Sequence, residues 1–257
     1  LSSAASDVYK RQILILNKIL DILYPRRCIL CDGVLDTPDS GVCTQCRPKL
    51  NYVKEPSCKK CGKPIGDERG EYCYDCREGR HSYAQGKSVW VYQGEMKQSI
   101  YRFKDGGRRE YAEFYAKESA RLYGDWIKRK DIQAIIPIPI HRHKRYKRGY
   151  NQAEVYAKEL GKQCGLPIDS KTLIRVVDTL PQKTLSDRER KNNLKKALKI
   201  GVDGVQWKRV LVVDDIYTTG STVDAAAAVL REAGVEKIYI LSITIGNGYQ
   251  KEELEWM

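Results

Sequence analysis

The chain is basic: it has 257 residues, and its 46 Lys and Arg against 33 Asp and Glu give a formal net charge of +13. A hydrophobic fraction of 42% excludes an intrinsically disordered chain and allows one large domain or a domain plus a module. The longest apolar run, 13–23, is interrupted by polar residues and is shorter than the roughly 20 apolar residues that span a bilayer. It also lacks the cleavage site of a signal peptide, so the sequence predicts a globular, cytoplasmic protein with no membrane span.

Residues 1–25 are predicted to form an N-terminal segment with a short amphipathic helix, and a cysteine-rich stretch follows over 26–80. Most of the cysteines form C-x-x-C pairs at a regular spacing: Cys28/Cys31, Cys43/Cys46, Cys58/Cys61 and Cys73/Cys76. One pair can place two sulfurs on a tetrahedral ion, and a second pair about a dozen residues later completes a four-cysteine zinc site. The pattern predicts a double zinc ribbon with two structural ions, because four thiolates leave no coordination position for water.

Two alternatives concern these cysteines. A disulfide framework needs an oxidising compartment, which the absence of a signal peptide disfavours. Cys28/Cys31 is expected to share one ion with Cys43/Cys46, and Cys58/Cys61 to share the other with Cys73/Cys76, while crossed pairing stays open. Gly33 and Gly62 follow the first pair of each half, where the backbone has to turn.

After His81 the sequence alternates between strand-like and helix-like runs up to residue 247, and a tail follows over 248–257. The predicted strands are 88–92, 134–140, 210–213 and 237–244, and the predicted helices are 107–128, 151–161 and 223–233. Strand, helix and strand in this order are typical of a parallel sheet with right-handed crossovers. The sequence therefore predicts an α/β domain over 81–247.

The turn between strand 210–213 and its helix reads DDIYTTGST, from Asp214 to Thr222. Small hydroxyl residues and a glycine at a helix start direct backbone N–H groups and the positive end of the helix dipole at one spot, which suits a phosphate monoester. The two carboxylates ahead of the loop would then face ribose hydroxyls or Mg²⁺. The loop has no P-loop lysine, which disfavours a nucleoside triphosphatase. The alternative is a capped helix start that binds no ligand.

A second candidate site is the basic stretch 141–150, HRHKRYKRGY, which has no acidic residue. Cationic side chains can follow the phosphates of a single DNA strand while an aromatic ring stacks on a base. The side chains expected to do so are Arg145, Tyr146, Arg148 and Tyr150. Two alternatives carry equal weight, namely a solvated basic turn and a loop whose arginines bind pyrophosphate.

Several of these segments carry a resemblance to known families. The stretch VLVVDDIYTTGST (210–222) resembles the phosphoribosyl pyrophosphate signature of type I phosphoribosyltransferases. PIPIHRHKRYKRGYNQAE (137–154), TLPQKTLSDRERKNNLKKAL (179–198) and the double zinc ribbon resemble the ComF family. The resemblance implies a type I phosphoribosyltransferase-like parallel sheet with flanking helices behind the ribbon. It also implies a role in DNA uptake during natural transformation or in related DNA handling.

The same resemblance implies roles for individual residues. Asp214 and Asp215, as the catalytic pair, would hold the ribose 2- and 3-hydroxyls directly or through Mg²⁺. The residues that would wrap the 5-phosphate are Thr218, Thr219, Gly220, Ser221 and Thr222. Arg142 stands near the turn where such enzymes bind pyrophosphate, and a mobile loop at 179–192 would close over it with the basic groups Lys183, Arg188 and Arg190. No nucleobase pocket is recognisable, which leaves the acceptor open.

Two functions of different classes follow from these residues. The first is a ComF-type protein of DNA uptake that binds phosphoribosyl pyrophosphate with Mg²⁺ and also binds single-stranded DNA. The alternative is an active phosphoribosyltransferase on an unidentified acceptor, with no direct role on DNA. A third option is a scaffold whose ribbons dock a DNA-uptake translocase or another competence protein.

Overall fold

The structure of the protein, a computed structural model, describes residues 25–37, 40–66, 70–79, 81–177 and 196–247. These residues belong to two compact units that divide between Lys49 and Leu50. The first four paired cysteines lie in the smaller unit, and the second four lie in the same unit as the α/β sheet. The division between the units thus lies within the stretch 26–80 that is predicted to form the double zinc ribbon.

The larger unit contains a parallel sheet and a small hairpin. Its strands are β1 (Gln85–Val91), β2 (Ala134–Pro137), β3 (Leu173–Arg175), β4 (Leu198–Ile200), β5 (Arg209–Tyr217) and β6 (Lys237–Ile245). Four of them form a sheet in the order β1-β6-β5-β2, and every pair in it is parallel. Val212 lies opposite Ile240 in the centre of this sheet, and both are fully buried. Strands covered on both faces have continuous apolar sequences, which is why these runs are apolar rather than alternating.

Helices connect the strands and cover the sheet. They are α1 (Tyr74–Glu78), α2 (Gly94–Asp105), α3 (Tyr111–Arg129), α4 (Arg142–Arg148), α5 (Gln152–Cys164) and α6 (Ser221–Glu232). The side chain of Asn151 starts α5 by accepting a hydrogen bond from the Ala153 N–H (3.1 Å), and Gly165 ends it with φ 66°. No helix within the described ranges combines the length and the apolar character that crossing a bilayer requires.

The hairpin of β3 and β4 is antiparallel, with Ile174 opposite Lys199. The connection between these two strands includes the loop expected at 179–192. Its basic residues Lys183, Arg188 and Arg190 lie outside the described residues.

The predicted α/β architecture is confirmed. β5, α6 and β6 form the expected strand-helix-strand unit, and β5 continues beyond the predicted end of the strand to Tyr217. The basic stretch 141–150 contains the helix α4. The His141 side chain caps the start of α4 by accepting a hydrogen bond from the His143 N–H (3.4 Å), and Gly149 ends the helix with φ 76°.

Candidate functional site

Two clusters of four cysteines have the geometry of metal sites. Their members are Cys28, Cys31, Cys43 and Cys46 in one cluster, and Cys58, Cys61, Cys73 and Cys76 in the other. Within each cluster all the sulfurs lie within 4.8 Å of one another, and the Cys61 and Cys73 sulfurs are 3.6 Å apart. Four sulfurs about 2.3 Å from a tetrahedral zinc ion lie about 3.8 Å from one another, so both clusters fit zinc. The clusters combine consecutive pairs, as expected, and not crossed ones.

Each cluster is built on a backbone turn that recurs in the other. The Asp32 N–H donates to the Cys28 carbonyl (2.9 Å), and the Gly62 N–H donates to the Cys58 carbonyl (2.8 Å). Gly62 has φ 80°, but in the first turn the positive φ, 62°, falls on Asp32 and not on Gly33. Aspartate tolerates the left-handed region because its short polar side chain can bond locally. The expected glycine turn is therefore present only in the second cluster.

The loop expected to bind a phosphate joins β5 to α6. Gly220 takes φ 79° immediately before the helix, and its carbonyl accepts from the Asp224 N–H (2.8 Å). The hydroxyl oxygens of Thr219 and Ser221 are 2.8 Å apart, and Thr218 and Thr219 are exposed. Hydroxyls and the N–H groups of a helix start are thus available at one point to an anion.

The two aspartates ahead of this loop share their surroundings with a lysine. The Lys104 ammonium in α2 lies 2.7 Å from Asp215 Oδ2, as an ion pair without hydrogen-bond geometry. Asp215 is buried, and Asp214 is half-buried beside it. Burial raises the pKa of Asp214 to about 6, although the charges of Lys104 and Arg175 oppose the shift. Burial lowers the pKa of Lys104 to about 8, with the charge of Asp214 opposing.

The sequence does not predict Lys104 as a member of this site. No local pattern marks it, because only the tertiary fold brings α2 to the end of β5. With Lys104 beside Asp215, the pair of carboxylates can accept hydrogen bonds from hydroxyl groups, or bind a cation, without two uncompensated negative charges.

Part of the surface predicted to bind DNA, on the basic helix α4, is exposed to solvent. Tyr146 is 93% exposed, and Arg142 and Arg145 are exposed as well. Arg145 also reaches Glu154 (3.2 Å) and Arg148 reaches Asp105 (2.9 Å), so both arginines have carboxylate partners within the chain.

Tyr150 differs from the expectation for a base-stacking residue. Its ring is buried, its hydroxyl donates to the Phe103 carbonyl, and the Arg109 guanidinium lies 4.4 Å from the ring centre. The ring therefore packs within the domain and is not available to a nucleotide. Only Tyr146 of the two predicted tyrosines can stack on a base.

The topology brings α4 and the loop between β5 and α6 to one edge of the sheet. β2 and β5 are parallel neighbours, with Pro137 opposite Val213. The segment that leads to Arg142 follows the carboxyl end of β2, and the loop follows the carboxyl end of β5. In open α/β sheets this edge is where ligands bind.

Comparison with known proteins gives matches along the chain. A double zinc ribbon domain matches residues 19–77, and a phosphoribosyl transferase domain matches residues 147–256. Competence protein F of Haemophilus influenzae is 29% identical, with 83% of this chain and 94% of that protein covered. Competence protein ComFC of Bacillus subtilis is 27% identical over 80% of this chain and 89% of that protein.

The chain is also similar to a DNA utilization protein and to a solved phosphoribosyltransferase structure. The DNA utilization protein YhgH of Escherichia coli is 26% identical over 84% of this chain and 95% of that protein. The crystal structure of a purine phosphoribosyltransferase from Pyrococcus horikoshii superposes with a TM-score of 0.35 at 14% identity, over 51% of this chain and 74% of that one. The chain is thus similar over most of its length to its homologues competence protein F, ComFC and YhgH, and it matches a double zinc ribbon domain followed by a phosphoribosyl transferase domain.

Proposed function

We propose that this protein acts in DNA uptake or DNA utilization, and that it binds phosphoribosyl pyrophosphate with Mg²⁺ and single-stranded DNA. The observation that carries the ligand proposal is the adjacency of two carboxylates to a hydroxyl-rich loop at a helix start. The names of the homologues support the role on DNA. The exposed basic face of α4 supports direct contact with a DNA strand.

In the proposed complex each part of the site has one task. Asp214 and Asp215 hold the ribose 2- and 3-hydroxyls, either by accepting hydrogen bonds from them or by coordinating the Mg²⁺ to which the hydroxyls bind. The loop residues Thr218 to Thr222 donate to the 5-phosphate through backbone N–H and hydroxyl groups. Bound Mg²⁺ would supply positive charge to the pyrophosphate group. The Lys104 ammonium, 2.7 Å from Asp215 Oδ2, places a positive charge beside this carboxylate.

Calorimetry with phosphoribosyl pyrophosphate and Mg²⁺ tests the ligand site. Asp214→Asn should lower the affinity at least tenfold, because it removes a charged acceptor without breaking the ion pair of Asp215. Asp203→Asn, on an exposed turn, is the matched control and should bind like the wild type. A wild-type protein that gives neither heat nor a change in melting temperature would refute the ligand site.

Binding of labelled oligo-dT at several salt concentrations tests the DNA surface. Arg142→Ala with Arg145→Ala should reduce the salt slope by about 0.7 for each DNA phosphate that the variant no longer neutralises. Tyr146→Ala should weaken binding by about 1 to 3 kcal/mol at an unchanged slope, because no ring then stacks on the base. Tyr74→Ala, which removes an exposed ring from α1, is the control and should have no effect. Equal behaviour of Tyr146→Ala and Tyr74→Ala would contradict base stacking on α4.

The second candidate function is an active phosphoribosyltransferase on an unidentified acceptor, with no direct role on DNA. The topology that brings α4 to the ligand edge of the sheet favours it, since Arg142 could then bind pyrophosphate. In that case Arg142→Ala alone abolishes phosphoribosyl pyrophosphate binding and leaves the salt slope of DNA binding as it was. Pyrophosphate release in the presence of candidate acceptors would separate the two functions.

The protein is further proposed to act in the cytoplasm and to bind a protein partner. Thiolate zinc sites persist where thiols stay reduced, which supports the cytoplasm as the compartment. The names of the competence homologues support a DNA-uptake translocase or another competence protein as the partner of the ribbons. Fractionation of cells that produce a tagged chain tests the location, and recovery in the periplasm would contradict it.

A further inference from the structure

The second cysteine cluster is packed into the core of the α/β unit. Cys58, Cys61 and Cys73 are buried, and they share one hydrophobic cluster with Val212 of β5 and Val223 of α6. The first cluster, in contrast, belongs to the smaller unit that ends at residue 49. Only the second cluster is thus built into the same body as the proposed phosphate loop.

A short segment, 81–83, runs from the second cluster to β1 and contacts the end of β5. The hydroxyl oxygens of Tyr83 and Tyr217 are 2.8 Å apart, and both side chains are buried. Tyr217 lies directly against the loop, since a Cβ added to Gly220 would be 2.3 Å from the Tyr217 hydroxyl oxygen. The position of the Tyr217 ring therefore determines where Gly220 can lie.

The same segment also contacts the start of α6. His81 Nδ1 is 2.5 Å from Asp224 Oδ2, and the Ser82 N–H donates to Asp224 Oδ1 (3.0 Å). The Asp224 N–H in turn donates to the Gly220 carbonyl (2.8 Å). Segment 81–83 thus holds the proposed phosphate loop from two sides, at Tyr217 before it and at Asp224 after it.

The cysteine turn of the second cluster fixes segment 81–83. Lys60, which lies between two of the cysteines, donates from Nζ to the Tyr83 carbonyl (2.6 Å). Its own carbonyl accepts from the Gly86 N–H (2.7 Å). The two segments approach closely there, because a Cβ on Gly86 would lie 3.2 Å from the Cys61 carbonyl oxygen. A turn that loses its metal loses the constraint that holds these contacts in place.

We propose that the second cysteine cluster, when it holds zinc, positions the phosphate loop through Tyr83 and His81, and that the first cluster does not. The metal content of the second cluster then determines how well ordered the loop is and how tightly it binds a 5-phosphorylated ribose. The affinity part rests on the proposed function, whereas the part concerning loop order does not.

Two serine variants at equivalent positions of the repeat test this proposal in the full chain. Cys73→Ser disrupts the second cluster and Cys43→Ser disrupts the first, and each should lower the zinc content by one ion. Amide hydrogen exchange over 217–224 should be at least tenfold faster in Cys73→Ser and unchanged in Cys43→Ser. Exchange in α5 should be unchanged in both variants, which distinguishes a local effect from general destabilisation. Equal exchange over 217–224 in the two variants would overturn the proposal.

A second pair of variants leaves both cysteine clusters intact and tests the proposal even if Cys73→Ser does not fold. Tyr83→Phe removes only the hydroxyl that contacts Tyr217, and Tyr156→Phe removes an equally buried hydroxyl that contacts Ser119 (2.6 Å) in another part of the unit. We expect Tyr83→Phe to speed exchange over 217–224 about fivefold and Tyr156→Phe to leave it unchanged. Identical exchange in the two variants would overturn the role of Tyr83.

Calorimetry with phosphoribosyl pyrophosphate and Mg²⁺ adds the binding readout. Tyr83→Phe should weaken binding about fivefold, while Tyr156→Phe and Cys43→Ser should bind like the wild type. If the wild type itself does not bind this probe, the proposed function fails, and the exchange measurements still decide whether the second cluster positions the loop. If the wild type binds and Tyr83→Phe binds equally well, the inference fails and the proposed function stands.

Discussion

Replacing Gly220 by Ala measures how tightly the loop at 218–222 is packed. A methyl group at this position would lie 2.3 Å from the Tyr217 hydroxyl oxygen and 2.7 Å from the ring carbon that bears it. Tyr217 is buried and pairs with Tyr83, so its ring cannot move without breaking that hydrogen bond. Gly165 is the matched control, since its φ of 66° is close to the 79° of Gly220 and no atom lies within 4 Å of an added Cβ.

The two substitutions share one energetic penalty and differ in another. Each places an alanine in the left-handed region, which costs about 1 to 2 kcal/mol. Gly220→Ala also breaks the hydroxyl pair, at about 1 kcal/mol, and displaces the Tyr217 ring from its rotamer, at about 1 kcal/mol. We therefore expect the free energy of unfolding to fall by about 1 to 2 kcal/mol for Gly165→Ala and by about 3 to 4 kcal/mol for Gly220→Ala.

Urea unfolding followed by tryptophan fluorescence is the assay. All four tryptophans come after residue 50 in the sequence, so the signal reports on the larger unit. With a urea dependence of about 2 kcal/mol per molar, the two variants should differ in midpoint by about 1 M. Equal midpoints would refute the reasoning, because they would show that Tyr217 yields to the methyl group without cost.

Protein purified under reducing conditions should hold two zinc ions by atomic emission, and Cys28→Ser and Cys58→Ser should each lose one of them. Loss of both ions from one variant would contradict two separate clusters. Asn151→Ala removes the cap of α5 and the donor to the Ile138 carbonyl, so the free energy of unfolding in urea should fall by about 2 to 3 kcal/mol. A decrease below about 0.5 kcal/mol would contradict both roles. Ser88→Ala or Ser242→Ala alone should destabilise the protein by about 1 to 2 kcal/mol, because the remaining hydroxyl is buried without its partner. The double variant should recover part of this loss, and strictly additive values in a double-mutant cycle would contradict the coupling.

Features that depend on neighbouring residues could be predicted from the sequence. The cysteine spacing predicts both clusters because the ligands of each ion are close together in the chain. The unit of β5, α6 and β6 could be predicted because its strands are continuous apolar runs. Helix α4 could not be predicted, since none of its residues is buried and no apolar periodicity marks it.

Contacts made only by the tertiary fold could not be predicted. Lys104 reaches Asp215 because α2 packs near the end of β5, and nothing in the sequence around Lys104 indicates this partner. The burial of Tyr150 has the same origin, since its hydroxyl partner is the Phe103 carbonyl of α2. The basic neighbours of Tyr150 in the sequence indicate an exposed ring, but packing against α2 buries it.

The strand order has a consequence for biosynthesis. β1 is made first, yet the strand it pairs with along its length is β6, the last strand of the sheet. On the ribosome β1 therefore emerges long before β6, and the backbone groups of β1 that bond to β6 stay unpaired while the rest of the domain is translated. The second cysteine cluster directly precedes β1 and can close at once, because its ligands are local. A nascent chain thus passes through a stage at which a closed metal turn precedes a strand whose edge toward β6 is open, and open strand edges favour aggregation.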